Sequence, residues 1–166
     1  MPNWSYAEIE ITADTNNPDA ARQLLDFVAR LRATGSERSD GVVVVSLTEA
    51  FYPMPMPEKY EGTVSGSPSV TVTADDGLTW YEWANRNWGT KWGDCQTVIT
   101  NVSDDRVAIS TRFAWAPGWG LLRRLSGIAP ALRFSMEWDD DYDGAWYVSK
   151  WQGNEDPVTT PGPGCR

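Results

Sequence analysis

The chain has 166 residues, 41% of them hydrophobic and 22% charged, ordinary values for a globular protein built round a single core. Its formal net charge is −9, from 23 acidic and 14 basic residues, and it contains no histidine. That balance disfavours generic nucleic-acid binding, and the missing imidazole excludes Ser-His-Asp and Cys-His catalysis together with imidazole metal sites.

Taken in order, Trp4 to Thr12 alternates, with Ala7, Ile9 and Ile11 on one face and Trp4, Tyr6, Glu8 and Glu10 on the other. A half-buried strand with an aromatic and acidic outer face is expected. Asn17-Pro18-Asp19 is a helix start: a cap, a proline in the first turn and an acid at the positive end. Leu24, Phe27, Val28 and Leu31 then form an apolar stripe running towards Gly35. The β-branched run Val42 to Val45 reads as a strand buried on both faces. Alternate prolines from Phe51 to Pro57 predict an extended, polyproline-like segment, and Glu61 to Ser69, rich in Gly and Ser, is expected to be mobile. Val70 and Val72 mark a brief strand.

Four of the ten tryptophans lie between Trp80 and Trp92. Helical spacing puts Trp80, Trp83, Ala84 and Trp88 on one apolar face, with Asp76 as the expected cap and Gly89 as the stop. Trp88 and Trp92 are expected to anchor the fold, with Trp88 largely buried. The competing expectation is that Trp88, Lys91 and Trp92 stay partly exposed and grip a partner. Cys95 to Val102 and Arg106 to Trp115 predict a hairpin, with Val107, Ile109, Phe113 and Trp115 sharing a face opposite Ala108, Ser110 and Arg112. A short helix presents Leu121, Leu122, Leu125 and Ile128, and Pro130 ends it. Leu132 to Trp138 and Ala145 to Trp151 are strands about the acidic turn Asp139 to Gly144. Gln152 to Arg166 offers nothing to bury and is expected to be a disordered Pro/Gly tail after a single domain over residues 1–151.

With residues of about 51–94 set aside as a Trp-rich helical insertion, the order is strand, helix, strand, strand, helix, strand. That pattern predicts an α+β, ferredoxin-like (split βαβ) antiparallel sheet with helices on one face. No run approaches the ~18 apolar residues of a membrane span. The N-terminus lacks the basic-then-apolar pattern of a secretion signal. Cys95 and Cys165 do not amount to a disulfide framework, so a reducing cytoplasm is the expected setting.

Several strings carry a family resemblance: Met1-Pro2-Asn3-Trp4, Pro55-Met56-Pro57-Glu58, Trp80-Tyr81-x-Trp83, Asn87-Trp88-Gly89-Thr90-Lys91-Trp92 and Ala114-Trp115-x-Pro117. Together they resemble the YubB-type ferredoxin-like proteins of bacteriophages and conjugative plasmids, over about residues 1–148. The chain departs from that pattern at Ser5, Ala7 and Gly118, so no role is carried over there. The resemblance implies a ferredoxin-like fold and a mobile-element origin, which would place the protein in a bacterial host's cytoplasm; it implies no catalytic residues.

Chemistry-bearing candidates are few. Asp94 beside Cys95 would raise the thiol pKa, and no phosphate-cradling loop is present. Asp139, Asp141, Asp143 and Gly144 fall at positions one, three, five and six of a calcium loop, but Lys150 stands where the twelfth-position glutamate is needed. Weak divalent-cation binding is the most this turn offers. No cofactor is expected. The expected function is non-enzymatic: an accessory protein that binds a host or viral protein, rings supplying burial and carboxylates steering towards a basic target. The alternative is a single-stranded nucleic-acid binder stacking bases on Trp4 and Tyr6, against which Glu8 and Glu10 argue. A basic face from Arg22, Arg30, Arg32, Arg123 and Arg124 would favour that alternative.

Overall fold

The computed structural model describes residues 3–55, 59–64, 67–71, 78–140 and 144–162; of 59–64, 67–71 and 140 it describes the backbone alone. In chain order the elements are β1 (Trp4–Thr12), α1 (Pro18–Ala33), β2 (Ser36–Glu37), β3 (Val43–Val44), α2 (Leu47–Phe51), β4 (Lys59–Val64) and β5 (Ser67–Thr71). They continue with α3 (Trp80–Asn87), β6 (Asp94–Val102), β7 (Arg106–Ala114), α4 (Trp119–Ile128), β8 (Arg133–Asp140), β9 (Ala145–Gln152) and β10 (Val158–Pro161).

The fold is α+β. Six strands make one antiparallel sheet in the order β10-β9-β8-β1-β7-β6, so β1 lies in the middle, paired with β7 on one side and β8 on the other. Its alternation sets the two faces. Ala7, Ile9 and Ile11 are buried with Val107, Ile109, Phe113, Phe134, Met136 and Trp151. The same core takes Leu24, Phe27, Val28 and Leu31 from α1 and Leu121, Leu122 and Leu125 from α4. Tyr6, Glu8, Glu10, Glu137 and Lys150 point the other way and are exposed. α1 begins as its sequence predicts: the Asn17 side chain accepts from the amides of Asp19 and Ala20, and Pro18 sits in the first turn.

The tryptophan helix packs through the expected residues. Trp83, Ala84 and Trp88 are buried and Trp80 is half-buried. Its cap is Thr79 rather than Asp76, which lies outside the described residues. The Thr79 hydroxyl accepts from the Glu82 amide while the Glu82 carboxylate accepts from the Thr79 amide and hydroxyl. Those bonds hold the exposed Glu82 carboxyl below its ordinary pKa. Gly89 takes a φ of +76° just after the helix, and its backbone lies close against Trp119 and Gly120 of α4, where a side chain would crowd.

Several expectations are corrected. Val42 and Val43 are exposed and only Val45 is buried, because the run pairs with the two-residue β2 and meets the sheet at one bridge, Val45 to Thr97. Leu47 to Phe51 is a short helix that precedes the proline-rich segment. Much of Glu61 to Ser69, expected to be mobile, is a β4–β5 hairpin, and β5 lies against α3.

The C-terminal segment also departs from expectation. β10 adds an outer strand to β9, the Ser126 hydroxyl donates to the Gly153 carbonyl at 2.6 Å, and the Gly162 amide donates to the Trp146 carbonyl at 2.7 Å. Arg123 pairs with Asp156 at 2.5 Å. Backbone pairing, not burial, holds this strand, which is why composition missed it. Truncation after Gln152 is therefore expected to cost about 1–2 kcal/mol and to lower Tm by about 2–8 °C. An unchanged melting curve would show that the strand contributes nothing to stability.

Candidate functional site: a ribbon of rings and cations

The loop after α3 is tied down at both ends. The Thr90 hydroxyl donates to the Ala114 carbonyl at 2.9 Å, which fixes the loop beside the end of β7. Gly93 has a φ of +67°, and a side chain there would collide with Thr48. Between these anchors Lys91 and Trp92 are delivered to the surface next to Trp115. The Lys91 ammonium lies 4.6 Å from the Trp92 ring centroid, 5.6 Å from that of Trp115 and 5.9 Å from that of Tyr81. These are cation–π distances.

The same surface continues across the sheet. Trp92 meets Trp4 with ring centroids 5.8 Å apart. In the β1–β7 register Tyr6 stands opposite Arg112, and the guanidinium lies 5.7 Å from the Trp4 centroid and 5.4 Å from that of Tyr6. Arg112 also donates to the Gln96 side chain. Gln96 has a φ of +52° within the irregular pairing of β6 between Cys95 and Val98. A continuous ribbon results: Tyr6, Arg112, Trp4, Trp92, Lys91, then Trp115 and Tyr81. Tyr6 is 47% exposed, Tyr81 41%, Trp92 39% and Trp115 47%.

Trp115 adopts a φ of +73°, a left-handed backbone that costs a bulky residue on the order of 1–3 kcal/mol. Its amide is held by the Asn3 carbonyl at 2.8 Å. The strained turn points the indole outward, where alternation along β7 would have turned it into the core. Of the residues expected to bind a partner, Trp4, Tyr6, Lys91 and Trp92 come together here, while Trp88 does not. Trp88 is 7% exposed, its indole N–H donates to the Tyr52 carbonyl at 2.9 Å, and its ring meets Trp83 edge-on. It is a core residue. Trp92, expected with it as an anchor of the fold, belongs to the surface. Sequence reasoning missed Arg112, Trp115 and Tyr81; only the pairing of Tyr6 with Arg112 across β1 and β7 would have pointed to the first.

The other candidate chemistry is thinner. The Asp139 carboxylate accepts from the Tyr6 amide at 2.5 Å, and Asp141 and Asp143 lie outside the described residues. Among the described residues no three acidic or cysteine side chains gather closely enough to hold a metal ion. Burial pushes the Cys95 thiol above its ordinary pKa, Asp94 adds to the rise, and Arg112 opposes it; a thiol so placed is a poor nucleophile. The expected basic helical face is largely engaged already. Arg22 pairs with Asp19 and Arg123 with Asp156, while Arg30 lies over Phe51 and Arg124 over Tyr52.

No protein-family model and no curated protein matches the chain. Among solved structures it is similar to the crystal structure of a protein api92 from Yersinia pseudotuberculosis, described under the family model DUF1281, with a TM-score of 0.54 and 8% identity over 100% of both chains. At that identity the likeness concerns the fold alone. Among the described residues no helix is long and apolar enough to cross a membrane.

Proposed function

We propose that the chain is a non-enzymatic accessory protein of a bacteriophage or related mobile element that works in the bacterial cytoplasm by binding a host or viral protein. The observation carrying this reading is the ribbon: four substantially exposed rings and two cations, held by a tied loop and a strained turn. Large rigid rings bury much area at low entropic cost and are the residues that dominate protein interfaces. The mobile-element origin is supported by the sequence strings that resemble YubB-type proteins.

The ferredoxin-like reading of the fold has support in the strand order. Within the sheet, β8-β1-β7-β6 is the arrangement made when β1–α1–β6 and β7–α4–β8 crossovers interleave, with β9 and β10 added at one edge.

A second reading, binding of single-stranded nucleic acid, is favoured by one observation, the interleaving of cations with stackable rings. Photo-crosslinking separates the two. A benzophenone side chain at position 115 is expected to capture a discrete protein from bacterial lysate, while the same group at Leu25, exposed on α1, captures none. Capture should fall away when Trp92 and Arg112 are changed to alanine. Equal labelling from both positions would reject the ribbon as the contact face, and an adduct removed by nuclease would install the second reading.

A further inference from the structure

We infer that the ribbon takes an extended, acidic segment of its partner, with carboxylates seated on Lys91 and Arg112 and apolar or aromatic side chains between them on the exposed rings. This rests on the protein-binding reading above and reverses the charge that composition assigns to the partner. A chain of net charge −9 would be matched with a basic target, yet between the rings of the ribbon the charges are the cations Lys91 and Arg112, and the neighbouring carboxylates, Asp139 and Glu8, lie at its Tyr6 end.

The state of those cations carries the argument. The described ion pairs engage Arg22, Arg38, Arg106 and Arg123, and neither Lys91 nor Arg112 is among them. Lys91 leans on three rings and has no acceptor among the described residues. Arg112 leans on two rings and donates to a neutral amide, that of Gln96. Contact with ring faces restricts both side chains before any ligand arrives, so less freedom is lost when a carboxylate binds. It also leaves N–H groups to be satisfied by an incoming acceptor, and charge-assisted hydrogen bonds are the strong ones.

Charge counting separates a peptide from a nucleic acid. A single strand brings about one phosphate per base, so stacking along the ribbon would set several negative charges against two cations. Glu8 and Glu10 extend along the same face of β1 and oppose such a strand. A peptide can carry a carboxylate at each cation and none where the acids lie. Long-range repulsion from the rest of the chain is screened within about 8 Å at physiological salt, so contact chemistry decides the outcome.

Display of random dodecapeptides against the immobilised full chain tests this. Enriched peptides are expected to carry at least two Asp or Glu residues separated by proline or aromatic residues. Individual binders, followed by anisotropy, should weaken roughly tenfold or more with Lys91→Gln or Arg112→Gln, and switch off in the double variant. Thermal melts of the same variants exclude unfolding as the cause. Enriched peptides without acidic residues, lost in Trp92→Ala but indifferent to Lys91→Gln, would overturn the acidic partner while keeping the protein-binding reading. Failure to enrich any peptide, together with salt-sensitive binding of an oligo-dT strand, would overturn both. Failure of peptide and strand alike would overturn the acidic segment.

Discussion

Replacing Trp88 by alanine is expected to remove about 3–5 kcal/mol of stability, the range for deleting a large core aromatic. The ring is 7% exposed and meets Trp83 edge-on, with centroids 5.2 Å apart. Trp83 meets Tyr52 in the same manner, and the Tyr52 hydroxyl donates to the Asn87 side chain at 2.7 Å. The indole N–H of Trp88 satisfies the Tyr52 carbonyl, so alanine leaves both a cavity and an acceptor without its donor. Its own carbonyl accepts the Leu121 amide at 3.2 Å, which ties the end of α3 to α4. Denaturant melts measure the loss, and Trp88→Phe should recover part of it by refilling the space without restoring the N–H. Trp92→Ala, at a ring 39% exposed, is expected to cost under about 1 kcal/mol. A Trp88→Ala loss as small as that would place the ring outside the core.

The contrast between these two tryptophans marks where the sequence is legible. Trp88 falls on a helical stripe with Trp80, Trp83 and Ala84, and periodicity alone assigns its face. β1 and α1 are legible for the same reason: each has a clean period, and α1 adds its cap. Trp92 lies after the helix stop, in a loop whose path depends on Thr90 reaching Ala114 and on Gly93 fitting against Thr48. No local pattern encodes those contacts. Trp115 fails for a related reason, since two-residue alternation assumes an extended backbone and its φ is +73°. The run Val42 to Val45 has propensity but no alternation, so nothing in it says which residues are covered. The ribbon itself is a product of register. Arg112 becomes part of it only because β7 pairs with β1 so that residue 112 faces residue 6.

The second large effect is expected at Asp94, a half-buried carboxylate at the start of β6 on which distant parts of the chain converge. One of its oxygens accepts from the Leu47 amide at 2.7 Å and the Thr97 hydroxyl at 2.6 Å. The other accepts from the Thr48 amide at 2.8 Å and the Thr48 hydroxyl at 2.7 Å, with the Ser46 hydroxyl at 3.4 Å. Ser46 caps α2 locally by accepting from the Glu49 amide, and Asp94, far along the chain, takes the two amides before it, its negative charge sitting where exposed amides and the helix dipole favour it. Thr97 and Thr111 share a hydrogen bond of 2.7 Å; since Thr97 donates to Asp94, Thr111 donates to Thr97, and the network runs on into β7. Asp94→Ala deprives two backbone amides and two buried threonine hydroxyls of their charged acceptor, and the expected loss is about 3–4 kcal/mol. Asp94→Asn keeps the shape but turns one acceptor into a donor facing donors, so it should recover little. Asp139→Ala is the fitting comparison. That carboxylate accepts one described hydrogen bond, from the Tyr6 amide, and its removal should cost about 1 kcal/mol. Equilibrium unfolding of the three variants decides the matter. A loss at Asp94 no larger than at Asp139 would mean that α2 holds to the sheet by packing alone, through Leu47 and Phe51, with the carboxylate incidental.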